Sequence, residues 1–156
     1  MPNGSPKLPL TPEERKSLRT FKVTVRELAH LEVKQLAGLL QVPEERAYYL
    51  RALAQFQSIP SIGPRMAEAL VELGYYSLVE LRDEDGADLV NRYEQRLGYW
   101  VDPCVEDSFR CVVHHARHPQ SEKSWFDFTE ERKNYRARYG YPATRPAIPW
   151  HAKEKG

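Results

Sequence analysis

The sequence predicts an all-α protein, a compact multi-helix domain, on three observations. Helix-start patterns follow one another along the chain with short connections between them. No segment shows the sustained alternation of β-branched and polar residues that is typical of strands. The chain has 156 residues, of which 41% are hydrophobic and 29% charged. That length and composition suit one folded domain with a single core.

Four helical elements are predicted before the middle of the chain. Residues 11–20 begin with threonine, proline and, three positions after the cap, glutamate, which is a helix-start signature. Residues 24–30 repeat the capping-box spacing and predict a short helix, and a further turn holds leucines within residues 36–40. Proline 43 starts a longer helix through about residue 57. Its candidate core positions are Ala47, Leu50, Ala54 and Phe56.

The second half continues in the same way. Residues 77–81 contain another capping box, and residues 85–97 read as an amphipathic helix closed by a glycine. Asp102-Pro103 opens a helix to about His118, before the next proline. The expected division is a disordered N-terminus (1–10), a helical domain (11–128), and a basic helix with a Pro-rich tail (129–156). Within the tail, three prolines predict extended or disordered chain.

Charge is distributed unevenly, although the net charge is only +1. Residues 1–43 carry 7 Lys/Arg and 4 Asp/Glu, whereas residues 44–118 carry 8 and 13. Residues 119–128 carry 1 Lys/Arg and 2 Asp/Glu, and residues 129–156 carry 7 Lys/Arg and 3 Asp/Glu. Because the centre is acidic, a phosphate backbone would have to be met by backbone amides and by the basic flanks.

Several features predict a cytoplasmic protein. No run approaches the ~18 apolar residues that a membrane span needs. The first ten residues hold three prolines and no apolar segment, so we expect no signal peptide and no membrane association. In that compartment the two cysteines are not expected to form a structural disulfide.

Residues 58–77 predict a tight hairpin between two helices. A turn at residues 60–63 follows the helix that ends near residue 57, and a proline occupies the first position of the next helix. This segment resembles the helix-hairpin-helix of DNA repair and recombination proteins, with the pattern apolar-Pro-Gly-apolar-Gly-Pro. The resemblance implies contacts to DNA phosphate through unpaired amides of the second helix. The residues concerned are Ser61, Ile62, Gly63, Pro64 and Arg65.

One position departs from that pattern. Ser61 stands where the family has its first glycine; its hydroxyl can donate to phosphate, but a positive φ would strain it. Glu68 and Glu72 also lie on the second helix, where cations would favour DNA. The alternative interpretation is that the hairpin only joins two helices or docks a protein partner.

A wider resemblance covers residues 53–118. The segments Val101-Asp-Pro-Cys104 and Phe109-Arg-Cys111 resemble the pathogenicity-locus family, small bacterial helix-hairpin-helix proteins that are also described as mitomycin-resistance-protein-B-like. The resemblance implies a bacterial cytosolic protein that is presumed to bind DNA and has no agreed activity.

A faint internal repeat bears on the architecture. Residues 24–28 and 77–81 share the pattern [ST]-x-x-E-L, and each is followed by an amphipathic segment and a proline-initiated long helix. Two copies packed face to face, in a duplicated (HhH)2-like arrangement, would bury a shared core. Two unrelated capped helices explain the pattern equally well.

Cysteine and histidine residues form a stripe on the predicted helix after Pro103. Cys104, Cys111, His115 and His118 lie within about 60° of one another. Cys104 and Cys111 are two turns or roughly 10 Å apart, too far to bind one ion. Cys111 and His115 could share a zinc ion with further ligands. Buried structural cysteines and a reactive thiol are the other interpretations.

The last helix clusters Arg132, Lys133 and Arg136. This cluster could extend a phosphate track, bind an acidic partner, or be a solvated face. We expect a non-enzymatic module that binds the DNA backbone without sequence specificity and needs no cofactor or metal, since no cysteine has an orienting base and acid. The alternatives are a protein-interaction adaptor using the hairpin and the aromatic strip Trp125–Phe128, and a small Cys/His metalloprotein.

Overall fold

In a computed structural model, the described residues 4–154 form eight α-helices and three short 3₁₀ helices. The all-α prediction is confirmed: within those residues the only β pairing is an isolated bridge between Trp100 and Pro149. No described helix has the length and apolar character to cross a membrane. The chain divides between Leu78 and Val79 into two units.

The first unit contains four α-helices, α1 (Pro12–Thr20), α2 (Val33–Leu40), α3 (Glu44–Phe56) and α4 (Pro64–Glu72). A 3₁₀ helix, Glu27–His30, precedes α2. Helix α3 packs against α2, α4 and this 3₁₀ helix. The core positions predicted on α3 are confirmed as fully buried: Ala47, Leu50, Ala54 and Phe56.

A capping side chain begins α1 as predicted, whereas Arg26, the N-cap of the 3₁₀ helix Glu27–His30, makes no side-chain capping bond. The Thr11 hydroxyl accepts from the Glu14 amide at 3.1 Å, and the Glu14 carboxylate accepts from the Thr11 amide at 2.8 Å. The Thr24 hydroxyl accepts from the Glu27 amide at 3.1 Å. There the helix is of the 3₁₀ type and ends at His30.

The segment before α1 is tied to the end of α3. The backbone of Lys7 exchanges two hydrogen bonds with the buried Gln57 side chain, both at 2.9 Å. Leu8 is buried, and Arg46 donates to the Pro9 carbonyl at 2.7 Å. These contacts involve residues of the segment predicted as a disordered N-terminus, of which residues 1–3 lie outside the described residues.

The second unit contains α5 (Gly86–Leu97), α6 (Pro103–Arg117), α7 (Thr129–Tyr139) and α8 (Trp150–Glu154). The 3₁₀ helix Leu78–Leu81 contains the division between the units, and another, Trp125–Phe128, precedes α7. The core of the second unit includes the fully buried residues Leu81, Leu89, Phe109 and Val112.

Helices α5 and α6 lie close together at Gly86. A Cβ atom at this glycine would lie 2.6 Å from the Cγ of Arg110 and 2.8 Å from its Cα. Any larger residue must therefore push the two helices apart.

Residues after α7 are held by long-range contacts. Arg145 donates to the buried Glu94 carboxylate at 2.9 Å, and the Trp100 backbone bonds with Ile148 and Trp150 at 2.8 Å each. The sequence predicted an extended or disordered tail. Residues 141–149 are non-helical in the structure, and α8 was not predicted. Residues 155–156 lie outside the described part.

Candidate nucleic-acid interface

Two isoleucines anchor the turn between α3 and α4. Ile59 and Ile62 are 3% and 1% exposed, whereas Ser61 between them is exposed. The Ile62 amide donates to the Ile59 carbonyl at 3.1 Å, which closes the turn. Apolar burial therefore fixes both ends of the turn and leaves its tip in solvent.

Ser61 adopts a left-handed backbone conformation with φ of 68°. This is the position at which the helix-hairpin-helix pattern has glycine, the residue that takes a positive φ without strain. The turn thus has the backbone conformation that glycine normally provides there, but it is built with a serine.

Helix α4 begins without a capping side chain. Gly63 is its N-cap, and Pro64 follows at the first helical position. The first helical bond runs from the Ala67 amide to the Gly63 carbonyl at 3.1 Å. Within the described part of the chain, no group accepts a hydrogen bond from the amides of Gly63, Arg65 or Met66. These are the orphan donors that a helix start leaves for side chains, water or ligands.

The surroundings of these amides are open. A Cβ atom added to Gly63 would meet no atom within 4 Å, and Pro64 and Arg65 are exposed. Arg65 makes no ion pair with any other described side chain. A small anion can therefore approach the start of α4 without displacing a side chain.

Negative charge lies further along α4. The Tyr49 hydroxyl donates to the Glu68 carboxylate at 2.6 Å, which ties α3 to α4. Burial, followed by this hydrogen bond, raises the pKa of Tyr49 to about 12. Glu72 is exposed one turn later. Any anion bound at the start of α4 would thus depend on the amides and Arg65 to offset these two carboxylates.

The five predicted hairpin residues fall into different environments. The Ile62 amide is already engaged, and Pro64 has no N–H, so neither can donate to an anion. Gly63 and Arg65 retain unpaired amides. Met66 was missed, although a proline at the first helical position places residue 66 at the third, where an amide is also orphaned.

The three cations of α7 that were predicted to contact phosphate also lie in different environments. Arg132 donates to the buried Asp107 carboxylate at 2.6 Å, and Arg136 donates to the buried Glu106 carboxylate at 2.9 Å. Lys133 is exposed. Two of the three cations are therefore used inside the second unit, where they bind α7 to α6.

Two members of the cysteine and histidine stripe contact one backbone carbonyl. The Cys111 thiol and the His115 Nε2 both contact the Lys123 carbonyl, at 3.7 and 2.8 Å. Burial, with a hydrogen bond to Asp102, raises the pKa of Cys104 to about 11. Within the part of the chain that the structure describes, no three His, Cys, Asp or Glu residues are grouped as metal ligands.

The aromatic strip does not form one surface. Phe128 is buried, Phe126 is 62% exposed, and Trp125 meets Phe126 edge-on at 5.8 Å. Only part of the strip is thus accessible to a partner.

Comparison with known proteins identifies the family. The model of the pathogenicity-locus family, Cdd1, matches residues 50–134, which is more than half of the chain. The chain belongs to this family. The part that matches the pathogenicity-locus family includes the α3–α4 turn, α4, α5 and α6. Helices α1, α2 and α8 lie outside it.

The chain also matches an individual protein in sequence. The chain is 27% identical over 84 residues to the "Mitomycin resistance protein McrB" of Streptomyces lavendulae. The alignment covers 54% of this chain and 79% of that protein. No solved structure matches the chain.

Proposed function

We propose that this pathogenicity-locus protein is a non-enzymatic, cytoplasmic DNA-binding module. In this proposal α3, the turn and α4 form a helix-hairpin-helix element that receives a phosphate of the DNA backbone. The observation that carries the proposal is the group of unpaired amides at the start of α4, on the half-buried Gly63 and Met66 and the exposed Arg65.

The physical basis is the charge at a helix start. Aligned peptide dipoles place roughly half a positive charge there, and orphan N–H groups supply directed donors. Arg65 adds a full charge beside them. The left-handed Ser61 and the buried Ile59 and Ile62 support the proposal because they hold the turn in one conformation.

Contacts of this kind do not read bases. Amides and a guanidinium group bind phosphate oxygens, which are the same for every sequence, so binding should be sequence-independent. One hairpin engages few phosphates. The logarithm of the affinity should therefore fall against the logarithm of salt with a shallow slope of roughly −1 to −2, since each phosphate contributes about −0.9.

Fluorescence anisotropy with a labelled duplex of about 20 base pairs at low salt tests the proposal. The variant Gly63→Leu with Arg65→Glu covers the amides and reverses the neighbouring charge, and it should lose at least about tenfold in affinity. Single-stranded and branched DNA of matched length are compared in the same assay.

Lys34→Glu is the matched control, because Lys34 is an exposed cation of α2 and its reversal changes the net charge by the same amount as Arg65→Glu. The control should bind within about twofold of the unaltered chain. If both variants bind duplex equally, or if neither differs from the unaltered chain, the hairpin is not the site.

An adaptor function is the second proposal, favoured by the exposure of Phe126. Docking through an apolar side chain should hardly change with salt, whereas phosphate binding should weaken as salt increases. A salt titration of any complex formed by the protein separates the two proposals.

A further inference from the structure

Helix α1 borders a groove of about 360 Å³ in the first unit. Its apolar part is contributed by Leu10, Leu18, Val23 and Val25, and its cationic part by Arg15, Arg19 and Lys22. We call this surface the α1 groove. It lies outside the residues that match the family, and it contains none of the hairpin residues.

The chain reversal after α1 builds the groove. Lys22 has a left-handed backbone with φ of 56°, and the Val23 amide donates to the Leu18 carbonyl at 2.9 Å. This is a helix ending in which the chain folds back on the last turn and brings two apolar residues together. Leu18 is buried and Val23 half-buried, so the apolar part of the groove is fixed by the backbone.

The cations of the α1 groove have no internal role. Arg15, Arg19 and Lys22 are exposed and make no ion pair or side-chain hydrogen bond with any other described residue. The nearby carboxylate of Glu14 does not neutralise them, because it is buried against Arg46 at 3.0 Å. Three positive charges therefore line the apolar depression, and one carboxylate, that of Glu27, lies beside it, where it accepts from the Thr24 hydroxyl at 3.0 Å.

The apolar and cationic lining of the α1 groove determines which kind of ligand it can bind. An apolar depression favours apolar side chains, and the surrounding cations favour carboxylates. A DNA backbone supplies anions but no apolar groups to fill the groove. The volume is near the lower end of ligand pockets, about 300–1,000 Å³, so the bound segment must be short.

We propose that the α1 groove binds a short acidic amphipathic segment of a partner protein. The segment places apolar side chains between α1 and the returning chain and carboxylates against Arg15, Arg19 and Lys22. The contact is small, so binding is weak and transient, in the micromolar range. The proposal does not depend on DNA binding, since it uses another surface.

A synthetic peptide of about 14 residues, with leucines at helical spacing and glutamates elsewhere, is the probe for this chemistry. It is titrated into the ¹⁵N-labelled full chain. Saturable shifts are expected at the amides of Leu18 and Val23. Two control peptides, with serine for leucine or with glutamine for glutamate, should each bind at least about tenfold more weakly, because each lacks one half of the recognition.

Charge-reversal variants test whether the peptide binds in the α1 groove. Arg15→Glu with Arg19→Glu should weaken peptide binding at least about tenfold. The matched control is Lys16→Glu with Lys34→Glu, which reverses two exposed charges that do not line the groove. Far-UV circular dichroism verifies that both variants are folded, as expected because none of these side chains is paired with another described residue.

Three outcomes would overturn the proposal. The first is absence of saturable peptide binding, or equal loss in the groove and control variants. The second is that duplex DNA, but not the peptide, shifts the groove amides, which assigns this surface to nucleic acid. The third is that the groove amides shift with protein concentration alone, which assigns the groove to a second copy of the chain.

Discussion

Ser61 sits at the exposed tip of the α3–α4 turn with φ of 68°. A left-handed backbone costs an ordinary residue about 1–2 kcal/mol, and glycine avoids that cost. Glycine also has more freedom in the unfolded chain, which offsets roughly 0.5–1 kcal/mol of the gain. The serine is thus a strained residue in the turn that precedes the proposed phosphate site.

Replacing Ser61 with glycine should raise the free energy of unfolding by about 0.5–1 kcal/mol. Urea denaturation measures the change. Ser61→Ala serves as the control, because it removes the hydroxyl and keeps the strain. A loss of stability in the glycine variant as large as in the alanine variant would show that the hydroxyl, and not the backbone, determines this position.

The two cysteines should be unreactive in the folded protein. Cys111 is fully buried, and burial raises the pKa of Cys104 to about 11 from an ordinary value of 9.0. At neutral pH that shift reduces the thiolate of Cys104 about a hundredfold. A thiol reagent such as DTNB should therefore label the native chain slowly and two thiols rapidly after unfolding. Rapid labelling of one thiol in the native chain would instead favour a reactive cysteine.

At the scale of elements, the contact between α5 and α6 depends on Gly86. Gly86→Ala should lower the free energy of unfolding by about 1–3 kcal/mol, because the added Cβ meets backbone atoms of Arg110 within 3 Å. Gly63→Ala is the matched control, since its Cβ would meet no atom within 4 Å, and it should change stability by less than about 0.5 kcal/mol. Equal effects in urea denaturation would contradict this account of the contact.

Helix α7 is attached to α6 by buried charge. Arg132→Met leaves the Asp107 carboxylate, which is 1% exposed, with the Thr129 hydroxyl but without its guanidinium partner. Removing one member of a buried pair costs about 3–5 kcal/mol, and the remaining hydrogen bond places the expected loss near the lower figure, about 3 kcal/mol.

Lys133→Met, one residue later, removes an exposed charge and should cost less than about 0.5 kcal/mol. Thermal unfolding of the two variants compares them directly. If they unfold together, the buried ion pair does not hold α7. If the Lys133 variant alone is impaired, the assignment of the exposed and buried cations on this helix is reversed.

For the whole molecule, local signals predicted the elements well. The capping threonine of α1, the proline at the start of α4 and the glycine after α5 each act within one turn, and each is where it was expected. Capping-box spacing alone could not distinguish an α-helix from the 3₁₀ helix at Glu27–His30. In both types the amides of the first turn have no partner within the helix.

These local signals could not predict ion pairs between residues that are far apart in the sequence. Arg145 reaches Glu94 across 51 residues, and Arg136 reaches Glu106 across 30. From the sequence, Arg132, Lys133 and Arg136 looked equivalent, because nothing nearby indicates that Glu106 and Asp107 are buried. The turn before α4 and the start of that helix were predicted better, because the signals for both are local. Which amides remain unpaired required the structure, as the engaged Ile62 amide shows.

The most direct test of the central claim follows the backbone amides of the full chain during a titration with duplex DNA at low salt. We expect the ¹H–¹⁵N signals of Gly63, Arg65 and Met66 to move most and the Ile62 signal to move less, because the Ile62 amide is already bonded. The shifts should reverse as salt is added. Saturable binding that leaves the amides of Gly63, Arg65 and Met66 unmoved would contradict the central claim.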